Sequence, residues 1–220
     1  MTTKRVSIFK SVLAADEQYA HLIRLEMVER QILVLNLIGS PGAGKTSLLE
    51  GTLNRCRFNS AVVEGDIATA RDAERIASCG VPVVQINTHG GCHLEANLVL
   101  KALKTFSLEK VDVVFIENVG NLVCPAEFDL GEDYKVAVCS SAEGADKPLK
   151  YPHLFHECGA VVLTKKDLFP HVRFDRDLFW GDVDSLNAKA AKFEVDNLSG
   201  EGIDGWVDQV EKWLNLKRRS

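Results

Sequence analysis

Short apolar runs rich in β-branched residues recur along the chain, separated by stretches with helical spacing. The runs are QILVLNLIG (31–39), SAVVEGD (60–66), VPVVQINT (81–88), VDVVFIENVG (111–120), KVAVCS (135–140), AVVLTK (160–165) and AKFEVDN (191–197). Their near-continuous apolar character suits strands buried on both faces, as in parallel sheets. Helices are predicted between them, at 44–56, 69–78, 93–105, 147–157, 175–188 and 202–217. Another amphipathic helix is predicted over 9–30, where Phe9, Val12, Leu13, Tyr19, Leu22 and Ile23 fall near helical spacing. This alternation predicts an α/β fold, a mostly parallel sheet with helices on both faces in three layers. The expected division is an N-terminal helical extension, 1–30, and one domain, 31–220.

Composition narrows the function classes. The 220 residues carry a net charge of −5, with 46% apolar and 26% charged side chains. That length allows one sizeable core. A negative balance argues against a protein that coats nucleic acid. No apolar run approaches a membrane span. The N-terminus MTTKRVSIFKSVLAADEQ lacks a signal-peptide core and soon turns acidic, so a cytoplasmic location is expected. Six cysteines, at 56, 79, 92, 124, 139 and 158, stand singly with no Cys-x-x-Cys pair. They do not form a disulfide framework. Cys139 and Cys158 lie in or beside apolar runs and are expected in the core.

The stretch GSPGAGKT, Gly39 to Thr46, fits Gly-x4-Gly-Lys-Thr between a predicted strand and a predicted helix. Its glycines, Gly39, Gly42 and Gly44, let the backbone turn tightly so that N–H groups converge on phosphate oxygens. The following helix adds the positive end of its dipole. Nucleotide contacts are expected from Gly39, Ser40, Gly42, Ala43, Gly44, Lys45, Thr46 and Ser47. Lys45 would reach the β- and γ-phosphates and the Thr46 hydroxyl would ligate Mg²⁺. Two carboxylates, Asp66 and Glu117, fall at the ends of apolar strands, where such sheets bind ligands. Mg²⁺, or the water attacking the γ-phosphate, would compensate their burial. Lys45, Asp66 and Glu117 are therefore the catalytic candidates, with Thr46, Asp66 and Glu117 around magnesium. A helix N-cap is the structural alternative for Asp66. The Gly120 N–H is placed to sense the γ-phosphate.

Thr164-Lys165-Lys166-Asp167 follows a later strand and resembles the Asn-Lys-x-Asp motif that reads guanine, with Thr164 in place of Asn. The Asp167 carboxylate can accept from both donors on the guanine edge, which adenine lacks. Lys165 would cover the base, and Ser199 in NLSGEG would close the last loop over it. The stretch THGGCHLEA places Cys92 and His93 at the predicted start of a helix, and Cys124 follows Glu117 and Gly120 in NVGNLVCPAEF. If the sheet is parallel, both loops leave the same edge. Residue types leave three readings open here: a site for Zn²⁺ or Ni²⁺, a thiolate stabilised by a helix dipole, or a helix start with a capping His.

The segments GSPGAGKTSLLE, EGDIATARDAERI, INTHGGCHLEA, ENVGNLVCPAEFDLGE and AEGADKPLKYPHLF resemble the HypB family, nickel-insertion GTPases of [NiFe]-hydrogenase maturation within the SIMIBI class. The resemblance runs from about Val12 to the C-terminus. The sister urease-maturation GTPases typically carry Cys-Pro-His where this chain has Cys92-His93-Leu94. The resemblance implies a GTP-dependent homodimer that holds Ni²⁺ or Zn²⁺ at its interface through Cys92, His93 and Cys124. It also implies GTP and GDP as ligands, slow GTP hydrolysis, and transfer partners: a maturation accessory protein and the hydrogenase large-subunit precursor. Lys147 would reach the partner's nucleotide. Some members carry an N-terminal Cys-x-x-Cys-Gly-Cys site or a His-rich run. This N-terminus has neither, so no nickel store is expected there. His89 is not expected as a histidine in this family and reads as an exposed residue. The competing readings are a urease-type GTPase, a P-loop kinase or ATPase with structural cysteines, and a GTP-binding switch without hydrolysis.

Overall fold

The computed structural model describes residues 8–66, 71–88 and 90–219, without the side chains of 8–15 and of Asp66. All seven apolar runs form strands: β1 (Leu33–Gly39), β2 (Ser60–Asp66), β3 (Val83–Asn87), β4 (Val113–Gly120), β5 (Tyr134–Ser140), β6 (Ala160–Thr164) and β7 (Ala191–Glu194). They pair in the order β3-β2-β4-β1-β5-β6-β7, and every pairing is parallel. β1 lies at the centre, flanked by β4 and β5, so the chain leaves it in both directions across the sheet. The loops at the carboxyl ends of β1 and β4 therefore meet at a switch point, where sheets of this type bind ligands.

The helices are α1 (Ile8–Glu29), α2 (Lys45–Leu53), α3 (Arg71–Ser78), α4 (Ala96–Leu103), α5 (Cys124–Glu127), α6 (Lys147–Lys150), α7 (Pro152–Glu157), α8 (Arg176–Asn187) and α9 (Ile203–Lys217). Leu48, Leu49, Ile76, Trp206 and Val210 bring α2, α3 and α9 onto one face of the sheet. The other face is covered by α1 and α4 over β2 and β4, and by α7 and α8 over β5 and β6. Both faces of the sheet are thus dry, and the strands read as unbroken apolar runs for that reason. Cys139 and Cys158 are buried among these side chains. No helix among the described residues is long and apolar enough to cross a membrane.

Three local expectations are corrected. The helix predicted over 147–157 is two helices, because Pro152 offers no N–H and Tyr151 before it takes φ −129°, ψ 53°. The helix predicted from His93 begins at Ala96, with Glu95 extended before it. Its first free N–H groups turn instead to α1, where the buried Asp16 accepts from Asn97 N at 3.4 Å. The inward face of α1 is Asp16, Ala20, Ile23 and Met27, whereas Tyr19 and Leu22 point outward, 39% and 50% exposed. The side chains of Phe9, Val12 and Leu13 lie outside the described residues, as does His89.

Candidate functional site

The phosphate loop follows from its glycines. Gly44 takes φ +92°, a left-handed turn that a side chain would strain, and opens α2 directly beneath the loop. The Lys45 side chain folds back over the loop, 3.2 Å from the Gly39 carbonyl oxygen. It is buried, and burial lowers its pKa, an effect the nearby Glu117 carboxylate opposes. Ala43 is fully buried. A cavity of about 400 Å³ opens in front, lined by Gly42, Lys45, Thr46, Ser47, Glu117 and Gly120 among others. Gly39 and Ser40 form the strand-to-loop step behind it.

Glu117 lies within β4, three residues before its end, and is 4% exposed. Thr46 Oγ1 donates to Glu117 Oε1 at 2.8 Å. Glu117 Oε2 is buried with no hydrogen-bond partner among the described residues. Burial pushes this carboxyl up to about 7, against the pull of Lys45 and of the Thr46 hydroxyl. An orphaned carboxylate oxygen beside a loop hydroxyl fits a hard cation, whose charge would favour the ionised form. Asp66 ends β2, paired in register with Asn87 of β3, and its side chain lies outside the described residues. Gly120 pairs with Gly39 and sits so close to the loop that a Cβ there would meet the Pro41 backbone at 2.9 Å. The phosphate loop therefore touches the end of β4 directly, at Pro41.

The guanine-motif segment is clasped onto the phosphate loop from behind. Thr164 Oγ1 donates to the Ala43 carbonyl at 2.6 Å, Lys165 Nζ to the Gly42 carbonyl at 2.8 Å, and Asn197 Nδ2 to the Gly44 carbonyl at 3.4 Å. Asp167 sits on an exposed 3-10 turn, Lys166–Leu168, and does not line the phosphate cavity. Ser199 is exposed in the neighbouring loop, where its N–H donates to Asp196 Oδ2. Lys147 opens α6 with its ammonium over the Tyr151 ring, 6.0 Å from the centroid.

Cys92, His93 and Cys124 come together. Their donor atoms lie within 4.8 Å of one another. Cys92 Sγ is 3.5 Å from His93 Nδ1. The Cys124 thiol beside it, and then burial, raise the Cys92 pKa, while burial lowers that of His93. Neither residue stands at a helix N-terminus, since α4 begins at Ala96. That removes the dipole-stabilised thiolate and the capping histidine as readings of this pair. Cys124 opens α5, a four-residue helix with Pro125 in its first turn. Two thiols and an imidazole converging at this spacing fit a soft or borderline cation such as Ni²⁺ or Zn²⁺.

Several residues of the site escaped sequence reasoning. Arg75 projects from α3 to the cavity, donates to Ser47 Oγ at 3.0 Å and pairs with Glu50 and Asp72. Phe128 stacks on the His93 ring, centroids 3.7 Å apart. Asn118 and Asn36 carry a buried hydrogen-bond chain beside Glu117. Asn36 and Asn118 did leave a sequence signal, each a polar residue inside an apolar run, LVLNLIG and VVFIENVG.

Comparison with known proteins identifies the family. Residues 33–194 match the nucleotide-binding domain model of the CobW/HypB/UreG family. Hydrogenase maturation factor HypB of Escherichia coli (strain K12) is 44% identical over 209 residues, covering 94% of this chain and 71% of that protein. The crystal structure of HypB from Helicobacter pylori in complex with nickel superposes with a TM-score of 0.87 at 34% identity, over 93% of this chain and 96% of that one. Hydrogenase maturation factor HypB from Archaeoglobus fulgidus superposes with a TM-score of 0.85 at 33% identity, over 92% and 100%. With a central parallel sheet, a phosphate loop and this extent of identity, the chain belongs to the CobW/HypB/UreG family, in its HypB hydrogenase-maturation branch.

Proposed function

We propose that the protein is a GTP-hydrolysing metallochaperone that carries nickel, or zinc, on Cys92, His93 and Cys124. It assists nickel insertion into a [NiFe]-hydrogenase precursor in the cytoplasm, together with a maturation accessory protein. The observation that carries this reading is the convergence of two thiols and an imidazole within 4.8 Å, on loops leaving the same sheet edge as the phosphate loop. Nucleotide is held by the loop from Gly39 to Ser47, by Gly120 at the γ-phosphate end, and by Lys165, Asp167 and Ser199 at the base. Asp167 selects guanine. Lys45, buried over the loop, neutralises the terminal phosphates. Thr46, Asp66 and Glu117 hold Mg²⁺, which when bound spreads the charge developing on the γ-phosphate. The γ-phosphate orders the segment after Glu117, which continues past the end of β4 to Cys124, so nucleotide state reaches the cargo site. A GTP-bound homodimer completes the cargo's ligand shell, since one chain offers three donors. Turnover is slow, because Arg75 is already paired with Glu50 and Asp72 and no other arginine among the described residues lines the cavity. Residues 1–30 serve as an extension to a GTPase domain at 31–220.

The test is nickel and zinc binding to the purified protein without nucleotide, with GDP and with a non-hydrolysable GTP analogue. Cys92→Ala is the control. Affinity is expected to depend on nucleotide and to collapse in the variant. Binding that ignores both nucleotide and Cys92 would leave only a GTP switch with protein partners.

A further inference from the structure

A chain of buried side-chain hydrogen bonds runs from the loop that carries Cys92 and His93, across β4 and β1, to the segment after α5. Asn36, fully buried in mid-β1, accepts at Oδ1 from Asn118 Nδ2 at 3.2 Å and donates from Nδ2 to Glu132 Oε1 at 3.3 Å. Asn118 Oδ1 accepts from Leu94 N at 3.2 Å and from Val119 N at 3.0 Å. Glu132 Oε2 accepts from Leu130 N at 2.7 Å. Two primary amides and a carboxylate inside an apolar core are costly unless every group is matched, and here each amide end has a partner. Apolar side chains would fill this space with less penalty, so the chain calls for an account other than packing.

Its endpoints supply one. Asn118 directly follows Glu117, the carboxylate that touches Thr46. Leu94 directly follows Cys92 and His93, and its side chain is fully buried against Gly65 near the end of β2. Leu130 and Glu132 close the segment that carries Cys124 and the Phe128 ring stacked on His93. Asn36 belongs to the central strand, the least movable element available. A shift of Glu117 on nucleotide binding moves the next residue with it, and the Asn118 side-chain Oδ1 takes the Leu94 amide along.

We propose that Asn118, anchored on Asn36, is the positioning residue that transmits nucleotide state from Glu117 to the Cys92–His93 loop. This rests on the nucleotide-gated cargo site of the preceding section. Coupling carried by such a contact changes by about twofold to thirtyfold on mutation, and it is reciprocal between the two ligands.

The experiment compares nickel affinity with GDP and with the non-hydrolysable GTP analogue, in the full chain and in Asn118→Ala. The readout is the ratio of the two affinities within each protein, which a uniform loss of binding leaves untouched. The ratio in the variant is expected to fall to within about twofold of one. A ratio equal to that of the unaltered protein overturns the relay and leaves the gated site standing. No nucleotide dependence in the unaltered protein overturns the gated site, and the relay with it. A second measurement needs no variant: amide hydrogen exchange at Leu94 in the two nucleotide states. Its protection is expected to differ by about tenfold. Equal protection, in a protein whose nickel affinity does respond to nucleotide, excludes the Asn118–Leu94 contact as the route.

Discussion

Thr164 stands where the guanine motif has Asn, and its hydroxyl takes over the duty of holding the phosphate loop. It is fully buried and donates to the Ala43 carbonyl. Thr164→Val keeps the shape and removes the donor, leaving a buried carbonyl unmatched. The expected loss is about 1–3 kcal/mol of unfolding free energy, with weaker GTP binding. Urea unfolding and a GTP titration check it, and a loss below about 0.5 kcal/mol would mean the clasp is idle. Glu117 gives a pH signature. Its folded value of about 7 lies above the ordinary carboxylate range because it is buried. The folded state therefore binds this proton more tightly than the unfolded chain does. The stabilisation is complete below about pH 4 and is lost as pH rises through about 7, on the order of 3 kcal/mol. Unfolding of the nucleotide-free protein at pH 5 and pH 8 should show that fall, and Glu117→Gln should reduce it. Glu132, also raised by burial, leaves a residual slope of the same sign.

At the scale of elements, α1 is placed by a few contacts of unequal weight. Ile23 is fully buried in the cluster beneath α4. Asp16 caps α4, and Arg24 pairs with Asp129 on the loop after α5. Ile23→Ala should cost about 2–5 kcal/mol, the range for emptying a dry site. The Arg24–Asp129 pair has side chains 41% and 43% exposed. Solvent screens it, so Arg24→Ala should cost less than about 1 kcal/mol. Chemical unfolding of both variants tests this ranking, and equal losses would show that the ion pair seats the helix as firmly as the apolar contact does. The same element explains where periodicity misled. Tyr19 and Leu22 share helical spacing with Ile23, but α4 and β1 accept the row through Ala20, Ile23 and Met27. Spacing shows that a helix has an apolar face, while the partner decides which row it is. The break between α6 and α7 was legible in Tyr151-Pro152. The late start of α4 was not, because Leu94 gives its N–H to Asn118 and Asp16 arrives from a distant helix.

For the whole molecule, ligand and fold are one equilibrium. A nucleotide that binds only the folded chain stabilises it by about 2.7 kcal/mol at a hundredfold excess over its Kd. With Mg²⁺, GTP should raise the midpoint of thermal unfolding and ATP should not. Asp167→Asn should remove most of the GTP effect if, as we propose, its carboxylate accepts from both guanine donors. A shift with ATP equal to that with GTP would sink the guanine assignment.

By itself, the sequence determined the parallel sheet, the phosphate loop and the identity of the chemical groups. Those properties are local: strands buried on both faces must be continuously apolar, and a loop that cradles phosphate must carry glycines and a lysine at fixed spacing. Tertiary structure alone decided which groups meet. The chain positions of Cys92 and Cys124 do not encode their convergence; that follows from the order in which β3 and β4 are placed in the sheet. Arg75 at the cavity, Phe128 on His93 and Asn118 under Leu94 are likewise contacts between separate segments. No window of sequence contains both partners, and only the packing of the core brings them to bonding distance.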